Sequence, residues 1–278
     1  MNRVRRPTPR DDYEATIEAI RGIVAELEPA GAGWRVGIGT PGAISPATGL
    51  IKNANSTCLN GRPLHEDLER ALDRPLRLAN DANCFALSEA TDGAGRGADV
   101  VFGVILGTGV GGGVVVRGRT LDGAQRIAGE WGHNPLPWPT DEERPGPTCY
   151  CGKRGCVETF LSGPGMVRDH VGATGRTWTT REIVSAIGDG DDGAHAVYGR
   201  YVDRLARGIA TVVNVLDPDV VVLGGGMSNL PDLAERTGAA LPEWVFSDGL
   251  ATEVVDNHHG DSSGVRGAAW LWPPEETD

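Results

Sequence analysis

The chain has 278 residues, enough for one large domain or two modest ones with a substantial core. Its formal net charge of −12 at pH 7, with no basic cluster to offset it, argues against a nucleic-acid-binding surface. The first thirteen residues contain no apolar core of a signal peptide, and the most apolar run, residues 100–116, carries six glycines and is short for a membrane span. We therefore expect a protein that binds neither nucleic acid nor membrane. The zinc thiolates predicted below need a reducing compartment, which favours the cytoplasm.

Helices and strands alternate in the first part of the chain. Apolar side chains that recur at steps of three and four from residue 13 to residue 27 predict an amphipathic helix beginning near Asp11. A strand is predicted at 34–39, a helix at 64–72, a second strand at 76–80, and a helix from there through Glu89. This alternation predicts an α/β fold with ligand-binding groups at the strand ends.

Residues 100–119, VVFGVILGTGVGGGVVVRGR, predict a hairpin with a glycine-rich turn. Residues 107–112 match G-x-G-x-x-G, but a β-branched segment follows where the dinucleotide fingerprint requires a helix. A plain hairpin turn would need two glycines and not the five present here. Backbone amides in such a turn can approach an anion, so we expect a phosphate to bind there.

The second half of the chain predicts a long helix at 198–216, a buried strand at 220–223 and a closing helix at 264–272. The strand ends in Gly224-Gly225-Gly226, a second glycine cluster. Two glycine clusters placed after strands indicate phosphate handling.

Cys149, Cys151 and Cys156 form a C-x-C-x4-C array, and His133 lies upstream of them. Three thiolates and one imidazole make a closed tetrahedral zinc shell. Chance clustering or a disulfide are the alternatives, although Cys149 and Cys151 are too close in sequence to pair easily. Gly152 and Gly155 supply the tight turns that a metal knuckle needs. Cys58 and Cys84, which lie far apart in sequence, are expected to be buried small residues.

Asp81 is the candidate for proton transfer. It lies in ANDAN, where a predicted strand ends and a helix begins, between Asn80 and Asn83. Asparagines can hold a sugar hydroxyl while a neighbouring aspartate takes its proton, and phosphoryl transfer requires little more than such positioning. An aspartate at this place can equally serve only as a helix cap. The local sequence leaves both readings open.

The segments ANDAN, GTGVGGG, GEWGH and CYCGKRGCVE, in this order, resemble the ROK family of repressors, uncharacterised reading frames and sugar kinases. The resemblance implies the actin-like ATPase (ribonuclease H-like) fold, with two α/β domains around a cleft. The smaller domain would comprise residues 1–98 and 262–278, and the larger domain, with the zinc loop, residues 99–261. NANSTCLNG, AGEWGHNPLPW and HGDSSGVRGAAWLW further resemble bacterial fructokinases of the manno(fructo)kinase type.

The resemblance implies ATP-dependent phosphorylation of a hexose, most readily of D-fructose to fructose 6-phosphate, with Mg²⁺ accompanying ATP and structural Zn²⁺. Asp81 would be the general base. The sugar ligands would be Asn80, Glu130, His133, Glu158, Gly42 and Thr57. The nucleotide contacts would be Gly107, Thr108, Gly109, Gly111, Gly224 and Gly225. The zinc ligands would be His133, Cys149, Cys151 and Cys156. Members of the family are commonly homodimers.

One departure from the family pattern concerns the phosphate site. Members open with a hairpin carrying D-x-G-G-T, and this sequence contains no such motif, so about 28 residues are expected to be missing before Met1, which corresponds to two or three strands. A non-catalytic sugar-binding protein is therefore one alternative, and a glucose or mannose kinase is another. A sugar-responsive repressor is disfavoured, because neither the length nor the charge accommodates a DNA-binding domain.

Overall fold

The computed structural model describes residues 3–9 and 11–272. Its α-helices are α1 (Tyr13–Leu27), α2 (Leu64–Leu72), α3 (Asp81–Asp92), α4 (Val157–Leu161), α5 (Gly163–Thr174), α6 (Thr180–Gly188), α7 (Asp192–Leu216), α8 (Leu233–Ala240) and α9 (Ser263–Trp270). Its strands are β1 (Val36–Thr40), β2 (Ala43–Ile44), β3 (Ile51–Lys52), β4 (Leu76–Asn80), β5 (Val100–Leu106), β6 (Val110–Val116), β7 (Arg119–Thr120), β8 (Val220–Gly224) and β9 (Glu253–Asp256).

A small parallel sheet organises the first eighty residues. Strands β1 and β4 pair in register from Val36 opposite Leu76 to Thr40 opposite Asn80, so both strands end at the same edge. Helices α1 and α2 bury their apolar faces beside this sheet, with Ile17 and Leu68 in the cluster. Within residues 3–9 and 11–272, β1 and β4 form hydrogen-bonded ladders only with each other. The edge at Thr40 and Asn80 is where the chain enters α3.

A larger sheet has the strand order β7-β6-β5-β8-β9. Strands β5 and β6 form an antiparallel hairpin from Val100 opposite Val116 to Leu106 opposite Val110, whereas β8 and β9 are parallel to β5. One face of this sheet packs on the buried side of α7, where Tyr201, Leu205 and Ile209 are at most 1 % exposed. The hairpin turn and the end of β8 therefore lie on one edge of the sheet.

Helix α3 connects the two sheets. Its Phe85 and Ala86 pack in a cluster with Val101 and Val222 of the larger sheet. Glycines permit the close approach on the other side, because a Cβ on Gly267 of α9 would lie 1.6 Å from the carbonyl oxygen of Cys84. The N-terminus of α3 is thereby held beside the hairpin turn.

The structure confirms the predicted order of helices and strands and moves several boundaries. Helix 64–72 and strand 76–80 coincide with α2 and β4, and the glycine-rich segment is the predicted hairpin. The predicted helix 198–216 begins earlier, at Asp192, because Asp191 caps it by accepting a hydrogen bond from the amide of Ala194. Cys84 is buried as expected, whereas Cys58 is only half-buried. The α/β fold class is confirmed.

The division into domains at residues 98 and 261 stays a prediction, and residues 1, 2, 10 and 273–278 lie outside the described residues. Among the residues that the structure describes, no helix combines the length and apolarity that crossing a bilayer requires.

Candidate active site

The glycine-rich turn between β5 and β6 is fixed at both ends by backbone hydrogen bonds. The amide of Gly107 donates to the carbonyl of Gly109 at 2.9 Å, and the carbonyl of Gly107 accepts from the amide of Gly163 at 2.8 Å. The turn is thus tied to the first residue of α5, and Thr108 at its tip is exposed. The turn predicted to bind an anion is therefore held in place between α3 and α5.

Asp81 is the first residue of α3, and Asn80 before it is the helix cap. The Oδ1 atom of Asn80 accepts a hydrogen bond from the amide of Ala82 at 2.9 Å, and its Nδ2 atom donates to the carbonyl of Gly42 at 3.0 Å. Oδ1 of Asp81 accepts a second bond from Ala82 at 2.8 Å. Capping therefore does not depend on Asp81 alone, which was the alternative that the sequence left open.

The carboxyl group of Asp81 presents exposed surface to a cleft while protein atoms surround it on its other sides. This desolvation raises the pKa of Asp81 above its usual range, and the hydrogen bond from the Ala82 amide opposes the shift. A carboxylate in this setting holds a proton more readily than a surface aspartate does. That property is the one that a general base requires.

Glu130 and His133 are held in the cleft by the tryptophan between them. Trp131 is 4 % exposed, and its indole Nε1 donates to the carbonyl of Gly111 at 3.0 Å. A Cβ on Gly112 would lie 2.8 Å from the Trp131 ring, so glycine is needed for that contact. Burial raises the pKa of Glu130, and the nearby charges of Asp81 and Glu158 raise it further while His133 lowers it. The carboxyl groups of Asp81, Glu130 and Glu158 therefore lie close enough to interact electrostatically.

Glu158 joins the cysteine-rich loop to the glycine-rich turn. Its Oε2 atom accepts a hydrogen bond from the amide of Val110 at 2.9 Å, and a Cβ on Gly109 would lie 2.6 Å from the same oxygen. Glycine at position 109 therefore leaves the carboxylate room to reach the hairpin backbone. Glu158 lies in the first turn of α4, two residues after Cys156, so the cysteine-rich loop and the glycine-rich turn are positioned together.

The predicted metal ligands converge on one point. One ligating atom from each of the four residues lies within 4.8 Å of all the others: His133, Cys149, Cys151 and Cys156. The Cys149 Sγ atom is 3.6 Å from Nδ1 of His133, and the Cys151 and Cys156 sulfurs are 3.6 Å apart. A tetrahedral zinc with bonds of about 2.3 Å separates its sulfurs by about 3.8 Å. The donor set fits zinc, and none of the five cysteines forms a disulfide.

The backbone of the cysteine loop has the predicted knuckle turns. Gly152 and Gly155 adopt φ angles of 86° and 69°, which favour glycine. The Cys149 amide donates to the carbonyl of Lys153 at 2.8 Å, and the Gly152 amide donates to Cys149 at 3.0 Å. These bonds place successive cysteine side chains on one side of the turn.

A buried ion network anchors the proline-rich part of the same loop. Glu143 Oε1 accepts hydrogen bonds from Nε of Arg204 at 2.7 Å and from Nη2 of Arg207 at 2.9 Å, both on α7. These guanidinium groups lower the pKa of Glu143 to about 2 despite its burial. Arg207 also donates to the carbonyls of Pro137 and Trp138 at 3.0 and 2.9 Å. The loop between His133 and Cys149 is therefore bound to the long helix.

A cleft of about 250 Å³ brings most of the predicted sugar and phosphate residues together. Its walls include the predicted residues Gly42, Asn80, Asp81, Gly107, Thr108, Gly109, Gly111, Glu130, His133 and Glu158. Thr57 begins a short 3-10 helix and does not line the cleft. Three lining residues with polar side chains were missed, namely Asn53, Asn55 and Tyr150. The motif NANST contains both asparagines, and their amides were the available signal.

A second pocket of about 600 Å³ adjoins the cleft and shares Gly107 and Thr108 with it. Gly224 and Gly225 do not line either cavity, although Gly226 lines the second. A Cβ on Gly224 would meet the Phe85 ring at 2.4 Å, and one on Gly225 would meet the Leu106 carbonyl oxygen at 2.3 Å. The other lining residues are Gly163, Pro164, Thr180, Arg181, Val184, Met227, Asn229 and Leu230. A larger cavity, about 680 Å³, lies apart from these residues, between the loop at 140–147 and helices α5 and α7.

Comparison with known proteins agrees with this arrangement. The model of the ROK family matches residues 1–275. The chain belongs to the ROK family. It is 40 % identical over 270 residues to the N-acetyl-D-glucosamine kinase of Escherichia coli O6:H1, covering 95 % of this chain and 89 % of that protein. This relative is a kinase of N-acetyl-D-glucosamine and not a fructokinase, so it does not support the finer resemblance to fructokinases.

Solved structures of the family share the fold. The ROK hexokinase from Thermus thermophilus superimposes with a TM-score of 0.82 at 34 % identity, covering 95 % of this chain and 87 % of that one. A ROK glucokinase from Streptomyces griseus, solved with glucose and AMPPNP, gives 0.77 at 27 % identity, covering 95 % and 89 %. The actin-like ATPase fold expected from the resemblance is confirmed. Together the comparisons support the general function of a ROK-family sugar kinase.

Proposed function

We propose that the protein transfers the γ-phosphoryl group of ATP to the 6-hydroxyl of a hexose, with D-fructose as the acceptor. The single observation that carries the phosphotransfer is the common wall of the two cavities. Asp81 faces the polar cleft, and Gly107 and Thr108 line both the cleft and the adjoining pocket. A sugar in the cleft and a nucleotide in the pocket would meet at this turn, where backbone amides can contact the transferring phosphoryl group.

The proton of the 6-hydroxyl would pass to the carboxylate of Asp81 as the oxygen attacks the γ-phosphorus and ADP leaves. The raised pKa of Asp81 makes the carboxylate a better proton acceptor. Glu130, His133 and Glu158 would hold other hydroxyls, so that the attacking oxygen stays in line with the leaving group. Magnesium would enter with ATP and offset the phosphate charge. Most of the catalytic effect is then positioning.

Asn80 and Gly42 would contribute by shaping the sugar side. The Asn80 amide already uses one acceptor site and one N–H on the protein, which leaves one of each for a sugar hydroxyl. Gly42 has a φ of 75°, and a Cβ there would lie 2.4 Å from the Lys52 carbonyl oxygen. Glycine at 42 thus keeps the turn before β2 close to the cleft. Thr57 and the pair Gly224 and Gly225 would act only through the packing of neighbouring residues.

Zinc would be structural. His133 Nδ1 and the sulfurs of Cys149, Cys151 and Cys156 would hold it, and four protein ligands leave no open position for a substrate. Bound zinc would fix the relative positions of His133 and Glu158, which lie at the two ends of the loop. No step of the transfer passes through the metal.

The acceptor is tested by the initial rate of ADP release with fructose, mannose, glucose and N-acetyl-D-glucosamine under identical conditions. The motif resemblance favours fructose, whereas the 40 % identity to N-acetyl-D-glucosamine kinases favours that sugar. We expect kcat/KM to be highest with fructose. A preference for the acetamido sugar would leave the kinase proposal intact and refute the choice of fructose. Absence of sugar-dependent ADP release with all four would refute the kinase.

A sugar-binding protein without phosphotransfer is the second candidate, because the polar cleft alone collects the carboxylates and amides that can hold sugar hydroxyls. Calorimetry separates the two. The kinase predicts that a hexose binds and stimulates ADP release, whereas the second candidate predicts hexose binding with no response of ATP hydrolysis to sugar.

A further inference from the structure

Tyr150 lies between two of the cysteines that converge on the metal position, and its ring reaches into the polar cleft. Its hydroxyl is 3.0 Å from Nε2 of His133, and the two rings meet edge to face with centroids 5.1 Å apart and an interplanar angle of 90°. Asp81, Glu130 and Glu158 line the same cleft. The tyrosine therefore covers one end of the proposed sugar site.

The contact occupies the nitrogen of His133 that a sugar would use. Nδ1 faces the Cys149 sulfur at 3.6 Å and belongs to the metal-binding set. Nε2 is then the polar atom left for the cleft, and the Tyr150 hydroxyl occupies its hydrogen-bonding position. A sugar hydroxyl that binds His133 must take the place of the phenol.

The tyrosine side chain is able to move while its backbone stays fixed. Residues 149–153 are closed by two backbone hydrogen bonds of 2.8 and 3.0 Å, whereas the Tyr150 side chain is 75 % exposed. Its described contacts are one hydrogen bond and one ring edge, both to His133. Little buried surface opposes its rotation away from the imidazole.

We propose that Tyr150 is a specificity-determining wall of the sugar site. A sugar hydroxyl displaces the phenol from Nε2 of His133, and the tyrosine ring then limits the size of the substituent next to that hydroxyl. This inference rests on the proposed function, because it takes Asp81 as the group that faces carbon 6. Carbon 2 of a pyranose lies across the ring from carbon 5, which carries carbon 6. Asp81, His133 and Tyr150 line the same cleft, so with carbon 6 at Asp81 we place carbon 2 beside His133, where an acetamido group would meet the tyrosine ring.

The experiment compares sugars that differ only in this substituent, glucose with N-acetylglucosamine and mannose with N-acetylmannosamine. Tyr150→Gly removes the ring, and Tyr150→Phe removes only the hydroxyl. Phe246→Ala is the control, since this aromatic residue is 98 % exposed and lines neither cavity. The readouts are kcat/KM for each sugar, zinc content per chain, and sugar affinity by calorimetry without ATP.

We expect Tyr150→Gly to raise the ratio of kcat/KM for an acetamido sugar to that for its parent at least tenfold, with zinc content unchanged. Tyr150→Phe should keep the ratio within twofold of the unmodified chain and lower KM for the parent sugar about threefold, because the competing phenol is gone. A ratio in Tyr150→Gly within twofold of the unmodified chain would overturn the proposal. An equal change in Phe246→Ala would do the same.

Failure of the kinase proposal gives a different result. If the unmodified chain phosphorylates none of these four sugars, the ratio of dissociation constants in calorimetry replaces the kinetic ratio, with the same tenfold criterion. The kinase proposal itself fails only if fructose is not phosphorylated either. If Tyr150→Gly loses zinc, Tyr150→Ala with zinc retained takes its place. Loss of zinc from both variants would assign Tyr150 to the metal loop itself and overturn its role as a wall.

Discussion

The two cavities on either side of the turn at Gly107 and Thr108 use different parts of the chain for recognition. The polar cleft presents ionisable side chains, among them Asp81, Glu130 and Glu158. The adjoining pocket presents mainly backbone, glycine and apolar side chains, with Arg181 as its one ionisable lining residue in the described part of the chain. Under the proposed function, the cleft would hold and deprotonate sugar hydroxyls, and the pocket would accept the flat, weakly charged base of the nucleotide.

The difference also concerns how each cavity is held in place. The polar cleft depends on a loop of about 25 residues that is fixed by a metal-binding set and by the Glu143 ion network. The pocket is formed by the ends of secondary-structure elements, where β5, β8, α5 and α6 meet. A substitution that disrupts the loop should therefore weaken binding of the sugar more than binding of the nucleotide.

The largest expected effect comes from Asp81→Asn. Loss of the proton acceptor should lower kcat about a thousandfold, within the range of general-base catalysis, and leave sugar affinity and zinc content unchanged. Steady-state kinetics, calorimetry and metal analysis measure the three quantities. Asp189→Asn, an exposed aspartate at the end of α6, is the matched control and should retain activity. Full activity in Asp81→Asn would exclude this residue as the base.

Removal of a metal ligand is the next test. Cys151→Ser should abolish stoichiometric zinc and lower kcat/KM for the sugar about a hundredfold, because His133 and Glu158 lose their fixed positions. KM for ATP should change much less. Cys58→Ser alters a half-buried cysteine outside the metal set and should keep both zinc and activity. Equal losses for sugar and ATP would contradict the assignment of the loop to the sugar side.

Glu143→Gln should destabilise the fold by about 3 kcal/mol, because Arg204 and Arg207 keep buried charges without their carboxylate. The carboxylate has a lowered pKa, so its stabilisation is present above the unfolded value near 4.5 and is lost as pH falls toward the folded value of about 2. Urea denaturation at pH 7 and at pH 3 measures both effects. Glu142→Gln, an exposed neighbour, should have no such cost. Equal stability of the two variants would show that the network does not hold the loop.

A change in the pocket should affect the nucleotide alone. Gly226 has no atom within 4 Å of the position of an added Cβ, so a side chain there can enter the pocket. Gly226→Val should raise KM for ATP about tenfold and leave KM for the sugar unchanged, whereas Gly226→Ala should have an intermediate effect. Competitive titration with ADP provides an independent measurement of nucleotide affinity. An effect of Gly226→Val on the sugar alone would reverse the assignment of the cavities.

The smallest expected effect is on the pH dependence of turnover. Because the pKa of Asp81 is raised, kcat/KM should fall on the acid side at a higher pH than an ordinary aspartate would give, since protonation removes the base. Glu130→Gln removes a neighbouring negative charge and should move this limb to lower pH by a fraction of a unit. A pH profile from 4 to 8 measures the shift. A shift of the acid limb to higher pH in Glu130→Gln would contradict the proximity of the Asp81 and Glu130 carboxyl groups.

The sequence predicted the polar cleft much better than the pocket, for a physical reason. Carboxylates, cysteines and a histidine in short motifs are distinctive, so Asp81 and the four metal ligands could be selected from local sequence, and Glu130 from the family resemblance. Tyr150 was missed because an aromatic residue in a cysteine loop has no specific meaning before its contact with His133 is known. The short motif that contains Thr57 did not reveal that Asn53 and Asn55, and not the threonine, face the cleft.

The pocket is lined mainly by glycines and by small polar or apolar residues, most of which belong to no recognisable motif in the sequence. Gly224 and Gly225 were assigned to the nucleotide by the family resemblance, yet their missing side chains serve close packing against Phe85 and Leu106. Gly226, one residue later, lines the pocket. Thr180 and Asn229 come from distant segments that only the folded chain brings together. The α/β class and the order of helices and strands along the chain were predictable from periodicity, whereas the order of strands in the sheets and the contacts between distant backbone segments were not.

Hydrogen–deuterium exchange with one ligand at a time tests the central claim that the cleft holds the sugar and the pocket holds the nucleotide. Fructose alone should slow exchange in peptides covering residues 53–60 and 130–158. A non-hydrolysable ATP analogue alone should slow exchange in peptides covering residues 163–184 and 226–230, and both ligands should protect the turn at 107–110. Protection of residues 130–158 by the nucleotide and of residues 226–230 by the sugar would contradict the account.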